Sequence, residues 1–420
     1  MSPKKDTNVL PIIIIGGGPA GMLAAIAASK GPREVILFNK NPWPGKKISA
    51  IPSEDLFFSE KLPAKKLAAK FKDKAEFVAP IFKAFGYINF VRLCKKMNLN
   101  LEVDQAGHFR ANGLPGQSFI DALLEEVIRR GVQYKKSSRV SDVYIENNKV
   151  AGIISNSSRL PASEVIIATG SFSSPKYGAT IDGYLISEKL GHRVNKLKPA
   201  LIDLIVFEKY GKILAGETFE NIKISIYFNS KPTYSEIGEI KFKSNSISGS
   251  TILNYSAEII EKLPLSPVEI RLDFMPEQPR EAFEAWLIKE FISRKNIYVE
   301  RFLSRYFNDN VIKAIQTESK IKLDKSIVHV TNLERKSLIR AIKDFRITIK
   351  APKPFNSTCG VLGGVSTDDI DPLTCESKIV KSLYFAGDVM DVLGPWGGYN
   401  MQFAFSSGYV AGTAAAVNSA

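Results

Sequence analysis

The chain has 420 residues, 45% of them hydrophobic and 24% charged, with 25 Phe and 14 Tyr; that excludes disorder for its bulk and allows two or three domains at roughly 100–200 residues each. Three cysteines (Cys94, Cys359, Cys375) and three histidines (His108, His192, His329) stand singly, which excludes a disulfide scaffold, a dithiol centre and a Cys- or His-based metal site and points to a reducing, cytoplasmic setting. A net charge of +14 leaves nucleic acid, an anionic membrane or an acidic substrate open as partners, beside a lysine-rich surface that serves only solubility.

Residues 1–8 are polar and no small-residue cleavage site follows a clean apolar core, so no secretory leader is expected. Residues 12–28 carry no charge, but Gly16-Gly17-Gly18-Pro19 interrupts them. The stretch therefore reads as strand, turn and helix, not as a membrane span. Residues 12–15 are four isoleucines, a strand buried on both faces; residues 22–29 are small and helix-favouring; residues 35–38 form a second buried strand. Between residues 61 and 74, Lys61, Lys65, Lys66, Lys70, Lys72 and Lys74 alternate with Leu62, Leu67 and Phe71, a helical pattern whose basic face either is solvated or meets an anionic surface. Residues 118–130 predict a helix, residues 140–154 a hairpin turning at Asn147-Asn148, and residues 165–168 a buried strand running into Thr169-Gly170. Residues 201–274 change to alternating strands, and residues 276–350 read as mostly helical and charged. The glycine-rich style returns after Pro352 and Pro354, with a strand at 381–386 and a helix at 399–416. The fold class is thus α/β with an insert of different architecture.

Gly16-Gly17-Gly18-Pro19-Ala20-Gly21 satisfies GxGxxG between a strand and a helix. The first glycine permits the tight turn, the second lets backbone approach a pyrophosphate, the third lets helix pack on strand, and the helix N-terminus offers N–H groups to phosphate. The acidic residue expected at the end of the second strand, to bind ribose hydroxyls, is Asn39, followed by Lys40. Near the other end, residues 383–388 form a strand ending in Gly387-Asp388, where an aspartate would accept bonds from ribityl hydroxyls. Residues 394–400 then open the last helix, whose N–H groups would face a flavin edge.

Four segments resemble the bacterial FAD-dependent oxidoreductases related to aminoacetone oxidase and to a flavin reductase of bile-acid enones: IIIIGGGPAG, residues 165–192, residues 238–256 and residues 363–412. The resemblance implies a glutathione-reductase-type FAD-binding Rossmann domain built from residues 1–195 and 351–420. A β-barrel-like insert (196–275) and a helical insert (276–350) would cap the flavin. It implies FAD at Gly16, Gly18, Pro19, Ala20, Gly21, Asn39, Lys40, Lys47, Val140, Ala168, Thr169, Gly170, Gly387, Asp388, Gly398, Tyr399, Asn400 and Met401, with flavin N5 as the hydride centre. NAD(P)H would visit as a transient electron donor, because only one GxGxxG lies in strand–helix context.

The chain departs from the family at three places. The glycine-rich loop ending in Arg-Cys-Asn is replaced by residues 47–55, which contain no glycine, Arg or Cys; a Thr-His pair is replaced by Lys243-Ser244, and Ser-Gly-Pro by Ser248-Gly249-Ser250. Candidate substrate-facing groups are Tyr399, Asn400, Lys243 and Ser244, each with a capping or packing role as the alternative. His192 reads as structural and His108 as a candidate for the cofactor edge. Three functions stay open: an oxidoreductase acting on a small molecule, a flavoprotein scaffold that binds FAD or an anionic partner without turnover, and a flavoenzyme acting on RNA.

Overall fold

Four isoleucines make the strand Ile12–Ile15, buried on both faces as a β-branched run between two parallel neighbours should be. In the computed structural model, which describes residues 9–53, 56–110, 113–208, 210–294 and 297–417, this strand lies at the centre of a five-stranded parallel sheet. The order is Leu383–Phe385, Glu164–Ile167, Ile12–Ile15, Val35–Phe38 and Gln133–Lys135. Ile15 pairs with Ile167 and Ile167 with Phe385, so three strands drawn from distant parts of the chain end level with one another. Residues 1–8, read as a polar lead-in, and Glu54 and Asp55, at the end of the glycine-free loop, lie outside the described residues.

The chain divides into two compact units, one formed by residues up to Pro199 and from Phe355 onward, the other by Ala200–Pro354. In the first unit the N-terminal helix Pro19–Ala28 packs along the last helix Tyr399–Val417. Small residues make that approach possible. A Cβ on Gly408 would lie 2.2 Å from Ala20 O, and one on Gly412 2.2 Å from Ala24 O. The hairpin turns where expected: Asn147 and Asn148 adopt φ of 48° and 61°, the twist-matched geometry of a two-residue turn. Three boundaries differ from the sequence reading. The helix at 118–130 is Gly116–Arg129, the strand at 381–386 contracts to Leu383–Phe385, and the lysine-rich segment is a short helix, Ala64–Ala69, followed by a separate turn, Lys72–Lys74. Lys70 caps the short helix, and Lys72 at φ 51° breaks its continuation.

The second unit is a closed six-stranded barrel ordered Leu204–Val206, Ser246–Ser248, Lys231–Lys243, Thr218–Phe228, Val268–Asp273 and Phe345–Pro352. Helices Arg280–Ser293, Asp309–Ser319 and Asn332–Lys343 share its core, where Phe283, Ile315 and Leu338 join Ile270 and Ile347. A division at residue 275 into barrel and helical pieces therefore gives way to one unit with one core. Its last segment was read as part of the helical block but closes the barrel, because Phe345, Ile347 and Ile349 point inward while their neighbours are more exposed. That period of two is short and follows a charged helix, which hides it in the sequence. Among the described residues no single helix is long and apolar enough to cross a membrane.

Candidate functional site

The level ends of the three strands bring their turns together at the carboxyl edge of the sheet, the place where open α/β sheets take ligands. Gly16 stands at φ 119°, donates its N–H to Phe38 O at 2.8 Å, and would drive a Cβ to 2.3 Å from Ala168 O. Gly21 lies against the same turn, its ideal Cβ 1.9 Å from Gly16 O. Gly18 behaves differently: nothing stands within 4 Å of its Cβ position, and no side chain caps the helix it precedes. The first-turn N–H groups beyond Pro19, those of Ala20 and Gly21, have no intrahelical partner by construction. An open, positive helix end thus faces free space.

Two further turns complete this edge. Gly387, at φ 72°, comes so close to the N-terminal helix that a Cβ would meet the Ala20 methyl at 2.8 Å, and its N–H donates to Ser407 Oγ at 2.9 Å. Asp388 follows it. From the middle strand, Ala168 donates its N–H to Ile15 O, Thr169 Oγ1 is buried without a hydrogen-bond partner among the described residues, and Gly170 turns at φ 74°. Lys47 reaches in from the loop after the second strand; its Nζ lies 4.0 Å from the Cβ position of Gly170 and donates to buried Ser173 Oγ at 2.9 Å. Lys47 and Asp388 lie deep in the unit yet each keeps accessible surface, as groups lining a crevice do. Burial lowers the Lys47 pKa and raises that of Asp388, and each charge partly offsets the effect on the other.

Asn39 is buried against Gly17, and its amide works for its own loop. Nδ2 donates to Asn41 O at 2.8 Å, Tyr134 Oη at 3.1 Å and Trp43 O at 3.2 Å, which leaves Oδ1 to accept from a ligand. Lys40 donates to Thr180 Oγ1 at 2.6 Å and has its pKa lowered by burial, against the pull of Asp182. Ser138 donates its N–H to Asn39 O at 2.9 Å, bringing the chain that enters the strand at Val140 alongside the end of the second strand. The segment 170–182 lies within the 165–192 stretch that carries the resemblance, but beyond Gly170 none of its residues was assigned to the site. Ser173 and Thr180 hold the two lysines, and Gly178 sits so close to Asn41 that a Cβ would be 2.6 Å from Nδ2. A serine- and glycine-rich run directly after a buried strand was the available signal.

At the last helix, two of the expected substrate-facing groups are occupied by the protein itself. The Tyr399 hydroxyl donates to the Glu60 carboxylate and is 5% exposed, with burial and then Glu60 raising its pKa. The Asn400 side chain staples the preceding loop: Oδ1 accepts from Gly394 N at 2.7 Å, and Nδ2 donates to Gly394 O at 2.9 Å. Both contacts are of the capping or packing kind given as the alternative for these residues. Gly398 is fixed by close approach, its Cβ position 2.7 Å from Ser59 N, and Met401 is half-buried in the helix that follows. His108 does reach this helix end; its Nε2 is 3.3 Å from the Cβ position of Gly397 and its Nδ1 3.5 Å from Asp104 Oδ2.

The other two candidates belong to the second unit. Lys243 Nζ pairs with Asp203 Oδ2 at 2.7 Å, and Ser244 is exposed on the turn before Ser246–Ser248. His192 is buried, with Nδ1 at 3.2 Å from Ser187 O and Nε2 at 2.7 Å from Ser377 Oγ, and burial lowers its pKa, as suits a structural histidine. Among the described residues no group of three His, Cys, Asp or Glu could hold a metal ion.

The HI0933-like protein Rossmann domain matches residues 10–414. Among curated proteins, the chain is 28% identical over 410 residues to a 3-dehydro-bile acid delta(4,6)-reductase of Clostridium scindens, covering 96% of this chain and 98% of that protein. It is 25% identical over 401 residues to a ribosomal RNA dihydrouridine synthase of Escherichia coli, covering 94% and 96%. Among solved structures, a 3-ketosteroid-delta4-(5alpha)-dehydrogenase from Rhodococcus jostii superposes with a TM-score of 0.52 at 13% identity, covering 99% of this chain and 100% of that one. A flavocytochrome c3 fumarate reductase gives 0.52 at 15% identity, covering 99% and 79%. These structural likenesses show the fold.

Proposed function

The chain belongs to the HI0933-like protein Rossmann family of FAD-dependent oxidoreductases, and from that premise we propose that it holds FAD at the carboxyl edge of its parallel sheet and reduces a carbon–carbon double bond conjugated to a carbonyl. The observation that carries the proposal is the meeting of the Gly16–Gly21 turn with Gly387-Asp388, with Lys47 close enough to Asp388 for each charge to offset part of the other's burial.

The residues present fit the cofactor. The uncapped helix end behind Gly18 suits a pyrophosphate, which has two negative groups and needs N–H donors and positive potential. Asp388 supplies an acceptor for ribityl hydroxyls, and the charge of Lys47 opposes the rise in pKa that burial imposes on that carboxyl. Asn39 Oδ1 supplies one uncharged acceptor on the ribose side, weaker than a carboxylate. When bound, the flavin supplies a hydride-transferring atom; this chain's residues bind and orient it. The substrate class is supported by the two relatives' named reactions, each of which adds two hydrogens to a double bond conjugated with a carbonyl.

The glycine-free loop favours a second reading, a scaffold that keeps FAD without turnover. Where the family has glycines, Lys46–Ser49 forms a helical turn and Ile51 packs against the core. An anaerobic titration separates the two. Bleaching of protein-bound flavin by NADH or NADPH, reversed by a conjugated enone, is the expected result; bound flavin that neither nicotinamide reduces would leave the scaffold reading and end the reductase one.

A further inference from the structure

The flavin site leaves the charge of +14 unexplained, and the first unit concentrates part of it on one surface. On the segment holding the short helix Ala64–Ala69 and the turn Lys72–Lys74, Leu67, Ala68 and Phe71 are buried, so every apolar side chain large enough to matter there is spent on the core. What faces outward is basic. Lys61, Lys65, Lys66 and Lys72 are exposed and, among the described residues, form no ion pair; Lys70 is exposed beside them. The nearby Asp73 is 81% exposed and lies 3.9 Å from Lys74 Nζ.

The run does not end on a flat surface. Lys74 enters the wall of a cavity of about 360 Å³, and the opposite strand brings Asn195, Lys196 and Lys198 to the same space. The one inward carboxylate there, Asp391, is already committed: it accepts from Gly363 N at 2.9 Å and from Asn195 Nδ2 at 2.7 Å, with Lys74 Nζ at 3.6 Å. Two lysine-bearing elements therefore flank one groove, with a file of unpaired lysines leading to it.

We propose that this surface binds the phosphate backbone of an RNA. A row of cations over successive turns suits a polyanion better than a single small anion, because each lysine can displace one counterion from the chain of phosphates. An anionic membrane fits less well, since interfacial helices insert apolar side chains and here those are buried. RNA, and not DNA, is chosen because two relatives at 25% and 27% identity are named for ribosomal RNA. The proposal goes beyond the flavin reading and stands or falls without it.

The test is fluorescence anisotropy of the full chain with a labelled RNA stem-loop across a KCl series. The variant Lys61→Glu, Lys65→Glu, Lys66→Glu, Lys72→Glu should bind at least tenfold more weakly, with a salt dependence flatter by about three to four in log–log slope. Lys196→Glu with Lys198→Glu, on the other wall, should weaken binding in the same direction. Equal charge reversal in the other unit, at exposed Lys262, Lys289, Lys313 and Lys336, should leave affinity within about threefold. The proposal is overturned if all variants lose affinity alike, which makes it a net-charge effect, or if the first variant binds like the parent. It is equally overturned if a DNA stem-loop of the same sequence displaces the RNA at equal or lower concentration, or if phosphatidylserine vesicles lose binding to the first variant while RNA does not.

Discussion

Asp388 and Glu164 are carboxyls at opposite edges of the same sheet, and their surroundings give them opposite meanings. Asp388 sits at the carboxyl edge opposite a lysine; burial raises its pKa and Lys47 opposes that rise. A carboxyl must be ionised to act only as an acceptor. FAD affinity is therefore expected to fall as pH is lowered through the raised Asp388 value, and Asp388→Asn should lose at least tenfold in affinity, about 1.4 kcal/mol, and show no such pH dependence. Flavin fluorescence quenching against pH measures both. Glu164 begins its strand at the opposite edge, 2% exposed, with Oε2 lacking a hydrogen-bond partner among the described residues. Burial raises its pKa, Glu376 adds to the rise, and Ser382, Lys149 and Tyr384 oppose it. A raised folded pKa means that the folded state grips the proton more tightly, so stability is lost as pH climbs above the unfolded carboxylate value. Glu164→Gln should then melt higher than the parent at neutral pH, by on the order of 1 kcal/mol, with the gap closing below roughly pH 4; thermal denaturation at several pH values reads it.

Between elements, the decisive contact is the one that no local pattern announces. Gly408 and Gly412 let the last helix lie on carbonyls of the N-terminal helix, which fixes Gly387 against Ala20 and so the spacing of the two turns. Gly412→Ala should cost about 1–3 kcal/mol in a denaturant midpoint and weaken FAD binding in parallel. The individual strands and the glycine turn were legible because their signals are local: four isoleucines, GxGxxG, and Asn147-Asn148. The strand Phe345–Pro352 was not, because six residues of alternation are outweighed by the charged helix preceding them. For Tyr399 and Asn400 the sequence left a substrate-facing and a capping or packing role open, without naming the neighbour. Tyrosine and asparagine at a helix start suit a substrate as well as a neighbour, and Glu60, which claims the tyrosine, is 339 residues away. Lys47 and Asp388 could be named from motifs, but that their charges come close enough to offset part of each other's burial is a property of the assembled sheet.

At the scale of the whole molecule, the chain divides its labour between a unit with a nucleotide-type sheet and a unit whose barrel and helices share a separate core. The central claim concerns the first: two turns from opposite ends of the sequence frame one cofactor site. The most direct measurement is the visible spectrum of the purified full chain after desalting, repeated after incubation with FAD and a second desalting step. The account predicts flavin bands that stay with the protein at about one FAD per chain, are released on denaturation, and are depleted in Asp388→Asn. Protein that stays colourless and retains no FAD after incubation would contradict it.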